Sequence, residues 1–502
     1  MGKIVELEVL AEELTRESFN GKTVLCHGVF DLLHIGHIRY LRRAKEFGDT
    51  LVVTLTPDRY VDKGPGRPAF TEALRAEALA SLDFVDYVAI NLWPTAENTL
   101  RRLKPDFYAK GAEFKNFTDD TGKINLEAAV AAEVGTSMVF VEDITFSSSN
   151  LINRYLEVYP EDLARYLEVL RQRYPLDDVL GRIDRLRDLK VLVVGDLIID
   201  QYAYCHPLGL SSKDPTMALR QISRESFPGG ASAVARHVAG LAGRVTLLTG
   251  AGQDCPHLKL LRDSLPSNLE LILEEMPGEP TVRKLRYVDN YSLAKLMEIY
   301  HLPATPPAAD FSRQMLRRLE EIIGDYDLVL AADFGHGLIS PEMIKILCAK
   351  APWLAVNTQA NAGNRGYHTI NRYPKADFIS LAAHEINLAF QDRQSPVLDL
   401  MTALFKKMNP ELLLVTCGAD GLRLMGGGDY VQTPALAVKA VDRVGAGDAL
   451  FAATALAARQ NCPVEVLGLI GNIAGARLVE NVGNNTAIDT SSIRKALTAM
   501  LK

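Results

Sequence analysis

The chain has 502 residues, which is enough for two or three domains. Its apolar content of 48% is ordinary for a soluble globular protein, and a formal net charge of −7 gives no electrostatic reason to expect nucleic acid as a partner. Six scattered cysteines, none in a C-x-x-C pair, indicate neither a zinc site nor a disulfide framework, and no apolar run is long enough to span a bilayer.

The opening MGKIVELEVLAEELTRESFNGK is amphipathic and acidic and lacks the apolar core of a signal peptide. With the cysteine usage, it makes a reducing cytoplasm the simplest location. KTVLCHGVF then reads as a buried strand, HIGHIRYLRRAKEFG as a helix, TLVVTLT as a strand and TEALRAEALASL as a helix. DYVAI, DFYAKG and SMVFVED continue the strand series. Short β-branched runs alternating with helical patterns predict a parallel sheet covered by helices. After about Pro160 the chain becomes charged and amphipathic in EDLARYLEVLRQRY and DDVLGRIDRLRDL, which reads as linker helices, solvated by the preferred reading and packed on a neighbour or a second subunit by the alternative. KVLVVGDLIID opens a second α/β unit, followed by the strands YDLVLAADF, WLAVNTQ, ADFISLA and ELLLVTCG. MGGGDY lies between LRL and YVQT and predicts a hairpin turn rather than a phosphate cradle. The expected division is 1–158, a linker 159–188, and 189–502.

In the first unit the informative string is Gly28-Val29-Phe30-Asp31-Leu32-Leu33-His34-Ile35-Gly36-His37. A strand ends, a tight loop follows, and a helix begins with His34 and His37 on one face of its first turn. Backbone N–H groups at a helix start favour an anion, and Gly36 lets a phosphate approach. The string therefore suits a nucleoside triphosphate. A metal-binding histidine pair and ordinary helix surface are the competing readings, and no third metal ligand is evident.

GVFDLLHIGHIRYLRRAKEFGD resembles the motif of the cytidylyltransferase-like nucleotidyltransferases, and the resemblance runs over roughly residues 20–158. It implies a Rossmann-like domain in which Gly28, Phe30, Asp31 and Gly36 shape the nucleotide site. GRPAFTEALR supplies Arg75. DFYAKGAEF supplies Lys110, Gly111 and Glu113. FSSSNLI supplies Ser147, Ser148, Ser149 and Asn150 for the outer phosphates. The implied reaction is attack of a sugar-phosphate oxygen on the α-phosphorus with pyrophosphate leaving. His34 and His37 donate to phosphate oxygens, and Mg²⁺ bridges the phosphates. Asn150 resembles the adenylyl branch, so ATP is the expected nucleotide and CTP the alternative; His27 stands where heptose relatives commonly have Asn.

In the second unit Asp442-Arg443-Val444-Gly445-Ala446-Gly447-Asp448 precedes an apolar helix. Small residues at a helix start make an anion-binding turn, and Asp448 beside it can take a proton from a substrate hydroxyl. A glycine-rich turn with Asp448 as a helix cap is the competing reading. The string resembles the motif of the ribokinase (PfkB) carbohydrate kinases, over about residues 188–500, and implies an α/β domain with a small β lid. By that resemblance Asp200, Gly229 and Gly230 bind sugar. Thr416, Gly418, Gly421, Gly445, Ala446, Gly447 and Asn472 serve the nucleotide, Asp448 is the base, and Glu385 acts indirectly at a metal. The pattern departs from the family at Ala233, Ala382 and Asn357-Thr358-Gln359, and His336 stands where heptose kinases have Lys.

Together the halves resemble the bifunctional heptose kinase/adenylyltransferases, with the order of the halves reversed. The expected function is nucleotidyl transfer to a sugar phosphate plus ATP-dependent sugar phosphorylation, by a homodimer with no nucleic-acid or membrane partner. The alternative is a nucleotidyltransferase whose kinase-like half serves binding or dimerisation. A regulatory sugar-binding protein without either chemistry is a third reading.

Overall fold

The computed structural model describes residues 2–14, 21–61, 68–112, 123–141, 159–253, 255–304, 306–436, 442–479, 483 and 485–502. The chain divides into two compact units, Met1–Pro160 with Lys495–Lys502, and Glu161–Arg494.

The first unit is built on a six-stranded sheet. Its strand order is Lys3–Ile4, Tyr87–Ile90, Thr50–Leu55, Thr23–Gly28, Phe107–Gly111 and Ser137–Val141. Every pairing is parallel. Both faces are covered, as parallel strands with apolar runs on both sides require. One core holds Val24, Cys26, Leu41, Leu51, Val53 and Leu79; the other holds Leu7, Leu10, Leu25, Val52, Leu100 and Tyr108. The sheet order reverses beside Thr23–Gly28, so the crevice at its carboxyl end is a topological switch point. The His34–His37 turn stands there.

The second unit carries a nine-stranded sheet. Its order is Leu269–Met276, Arg244–Gly252, Lys190–Gly195, Leu328–Asp333, Leu354–Thr358, Phe378–Ala382, Leu412–Thr416, Leu422–Gly426 and Asp429–Thr433. It is parallel except for its last two pairings. MGGGDY is the hairpin turn between those last strands, with Gly427 and Gly428 at φ 61° and 89°. A separate four-stranded sheet forms the lid, in the order Lys295–His301, Val282–Asp289, Leu197–Leu210 and Met217–Gly230.

The segment expected to be a solvated linker belongs to the second unit. Helix Glu161–Arg173 buries Leu163, Leu167 and Leu170, and helix Leu176–Asp184 buries Val179 and Ile183. Tyr174 donates to Glu465 at 3.0 Å, Arg173 pairs with Glu465, and Arg182 donates to the Asn461 carbonyl at 2.8 Å. The charges that suggested solvent are spent on the outer face and on this seam, while the apolar stripe packs inward. No helix among the described residues is long and apolar enough to cross a membrane.

Candidate functional sites

In the first unit, the strand Thr23–Gly28 delivers the chain to a turn held by aromatic packing. Phe30 takes a left-handed conformation, φ 49°, and its ring meets His37 edge-on at a centroid distance of 5.2 Å. A Cβ on Gly28 would lie 3.1 Å from the Phe30 ring, so glycine there leaves room for the ring that orients His37. His34 and His37 stack at 3.9 Å with their planes 25° apart. The sequence thus brings the predicted imidazole pair together.

His34 also caps the helix Ile35–Lys45, its Nδ1 accepting from Gly36 N at 3.1 Å. An Nδ1 that accepts places the ring proton on Nε2. Burial lowers the His34 pKa and keeps that neutral tautomer. His34 is therefore preset as an Nε2–H donor. The same bond gives Gly36 a part in the cap, its N–H being engaged by His34.

Two further residues singled out in the sequence have partners inside the protein. Asp31 is buried and accepts from Ala69 N at 2.6 Å and Phe70 N at 3.4 Å, which ties the turn to the segment before helix Glu72–Ala80. Arg75 is also buried. It pairs with Asp58 at 2.6 Å and donates to the carbonyls of Thr56 (3.0 Å), Phe70 (3.1 Å) and Val29. Its guanidinium is taken up by these partners, bracing three loops at the carboxyl end of the sheet's central strands. Arg75→Met is expected to cost about 3 kcal/mol of stability, because it strands a half-buried carboxylate and several carbonyls. Urea unfolding measures this; unchanged stability with a raised KM for nucleotide would restore the phosphate role.

Lys110, the penultimate residue of the strand Phe107–Gly111, pairs with Glu127 at 2.8 Å. Burial pushes the Glu127 carboxyl up, but Lys110, His27 and the Tyr108 hydroxyl outweigh it and leave the pKa low. Glu127 was missed in the sequence, since it lies on helix Lys123–Val134 with no motif around it. His27 bonds Thr54 at 2.9 Å and Thr56 at 3.4 Å across the adjacent strand. Glu113, Ser147, Ser148, Ser149 and Asn150 lie outside the described residues.

The second unit gathers its charges between the lid and the start of helix Ala446–Arg459. Gly445 caps that helix at φ 83°, a left-handed conformation that suits glycine. A Cβ on Gly447 would meet nothing within 4 Å among the described residues. Asp448 in the first turn is buried. Burial first, then the charge of Asp200, pushes its pKa up to about 7; Lys284 opposes this and Glu385 adds to it.

Asp200, Tyr202, Lys284, Arg286, Glu298 and Tyr300 share one face of the lid, where register pairs Asp200 with Lys284 and Arg286 with Tyr202 and Glu298. Arg286 pairs with Asp200 and, at 2.8 Å, with Glu298. A Cβ on Gly229 would overlap Asp200 Oδ2, and one on Gly230 would overlap the Asp196 carbonyl. Gly229→Ala is thus expected to dislodge Asp200 and reduce sugar turnover more than tenfold at a stability cost of about 1–3 kcal/mol. Unaltered turnover in the variant would separate Asp200 from the site.

Asp442, which leads the glycine turn, accepts from Lys295 (2.6 Å), Tyr202 (2.7 Å), Val444 N and Gly483 N (both 3.1 Å). The turn is thereby tied to the lid strand Lys295–His301. Lys284, Arg286 and Lys295 were not singled out from the sequence, although the alternation in VRKLR carries the signal for the first two.

Glu385 accepts from Ala360 N at 2.9 Å and Ala382 N at 2.7 Å and caps its own helix; burial raises its pKa. Asn472 donates to the Pro434 carbonyl at 2.9 Å. Thr416 ends the strand Leu412–Thr416, and Gly418 and Gly421 take φ 61° and 78° in the turn that follows. Ala233 is fully enclosed, where the family motif has a polar Asn.

Residues 188–491 match the pfkB family carbohydrate kinase profile, and residues 25–154 match the cytidylyltransferase-like profile. Among curated proteins the chain resembles the bifunctional protein HldE of Koribacter versatilis, 27% identical over 62% of this chain and 64% of that one. It also resembles HldE of Campylobacter fetus subsp. fetus, 42% identical over 30% of this chain and 31% of that one. These matches thus span under two thirds of the length of each relative. In fold the chain resembles Escherichia coli phosphofructokinase-2 in complex with substrates and products, with a TM-score of 0.51 at 17% identity, over 62% of this chain and 100% of that one. The two matched families are transferase families, and the chain belongs to the pfkB family of carbohydrate kinases, with a cytidylyltransferase-like domain as its other part.

Proposed function

We propose that the chain is a cytoplasmic, homodimeric enzyme of sugar-nucleotide synthesis with two chemistries. The first unit transfers a nucleotidyl group, adenylyl by preference, from a nucleoside triphosphate to a sugar phosphate and releases pyrophosphate. The second phosphorylates a sugar with ATP. The observation that carries the reading is the stacked His34–His37 pair at a helix mouth, with His34 fixed as a neutral Nε2–H donor. Such donors stabilise charge that develops on the transferring phosphoryl group. In the second unit Asp448 takes the proton of the attacking hydroxyl while the Gly445–Gly447 turn receives phosphate.

Among the described residues no cluster of three or more His, Cys, Asp or Glu could hold a metal. Magnesium fits the sites only as a companion of the triphosphate, held by phosphate oxygens and water, where it would offset phosphate charge.

Heptose is the sugar class favoured by the resemblance to HldE proteins. A second reading makes the kinase-like half a binding module; the enclosed Ala233, which offers no hydrogen bond to a sugar, favours it. Parallel assays of pyrophosphate release with ATP and CTP, and of ADP release over a panel of sugars and sugar phosphates, test both readings. Absence of ADP release over the whole panel, in wild type and Asp448→Asn alike, while pyrophosphate release persists, would favour the binding module.

A further inference from the structure

One buried polar atom of the second unit has no use in the chemistry above. His336 lies in the loop after the strand Leu328–Asp333. The loop is held tightly: Phe334 N, His336 N and Leu338 N donate to the Asp196 carboxylate at 3.2, 3.3 and 3.1 Å. Gly335 and Gly337 take φ 71° and 102°, and a Cβ on Gly335 would lie 2.8 Å from the His368 ring. On its other side the His336 ring lies 3.4 Å from where a Cβ of Gly363 would stand. Its Nε2 is closed off from solvent and has no hydrogen-bond partner among the described residues.

A buried ring nitrogen left without a partner is costly, and native proteins rarely leave one without reason. Burial, with the nearby charge of Lys284, holds the imidazole neutral, its pKa down to about 3. Lys284 comes from the lid face that carries Asp200, and its charge also reaches Asp448. Asp196, whose carboxylate holds this loop, also packs its carbonyl against Gly230, next to the Gly229–Asp200 contact, so the loop that carries the unfilled nitrogen adjoins the Asp200 end of the lid.

We propose that His336 is a specificity-determining residue of the second site. When the lid strand lifts to admit the acceptor, its Nε2 takes a hydrogen bond with one sugar hydroxyl, and Lys284 closes over the same group. A neutral ring suits a hydroxyl. The proposal rests on the sugar-kinase reading and adds to it a named contact and a preference for an uncharged group at that point.

The test is a double-mutant cycle between protein and ligand, read by isothermal titration on the full chain. The probes are free aldohexoses and aldoheptoses with their monodeoxy analogues, against wild type and His336→Phe. In wild type, one deoxy position is expected to weaken binding about tenfold. In His336→Phe, that analogue and its parent sugar should bind equally. An equal deoxy penalty in both proteins at every position overturns the assignment while leaving the kinase reading intact. No binding of any free sugar by wild type overturns the assignment; the kinase reading falls with it only if ADP release is also absent over the panel of sugars and sugar phosphates. Should His336→Phe fail to fold, ¹⁵N-histidine spectra of wild type supply the readout: an Nε2 resonance of His336 that moves with the parent sugar but not with the critical deoxy analogue supports the contact, and one that moves with neither overturns it.

Discussion

Replacing His37 with alanine is expected to lower pyrophosphate release by roughly 100-fold to 1000-fold, the usual effect of deleting a donor aimed at transition-state charge. The domain should remain folded, because the cap of this helix is His34, while His37 packs on the Phe30 edge and the His34 stack. His34 is less clean. Its Nδ1 caps the helix, so His34→Ala also removes a cap worth about 1 kcal/mol. His34→Asn keeps a cap acceptor and loses the Nε2–H donor. Both His37→Ala and His34→Asn should therefore depress the rate with little change in melting temperature. A full rate in His37→Ala would remove the imidazole pair from the reaction.

The second large effect is at Asp448. Asp448→Asn is expected to lower ADP release by roughly 100-fold to 10,000-fold, the range for loss of a positioned base. Its pH dependence is distinctive. Burial and then the Asp200 charge raise the carboxyl to about 7, well above the ordinary range, and only the ionised form can accept a proton. Activity is therefore present above that value and lost as pH falls through it. Measured as kcat/KM, which reports the free enzyme, the rate at pH 6 should be roughly tenfold below its plateau. An ordinary aspartate would leave it flat to about pH 5. A flat profile across pH 6–8 would place the base elsewhere.

Much of the fold was legible because strand and helix periods alternate cleanly in both units; Thr23–Gly28, Ile35–Lys45 and Thr50–Leu55 fall where KTVLCHGVF, HIGHIRYLRRAKEFG and TLVVTLT place them. The linker was misread because charge on an outer face looks the same whether the opposite stripe meets protein or water. Leu163, Leu167 and Leu170 carried the correct signal at helical spacing. At the sites, spacing along one element was readable, as with His34 and His37. Partners far apart in the chain were not. Nothing local to Arg75 announces Asp58 and the Val29 carbonyl, and nothing near Lys110 announces Glu127. A charged residue in a motif is ambiguous between binding a ligand and bracing the loops around it, and only the three-dimensional partners decide.

The central claim, that one chain holds two separate phosphoryl-transfer centres, is tested most directly by scoring both products in both variants. Pyrophosphate and ADP release are followed with ATP, a sugar phosphate and a free sugar, in His37→Ala and in Asp448→Asn. The account predicts that His37→Ala loses pyrophosphate and keeps ADP, and that Asp448→Asn does the reverse. Loss of both products in either variant, or of neither, would contradict it.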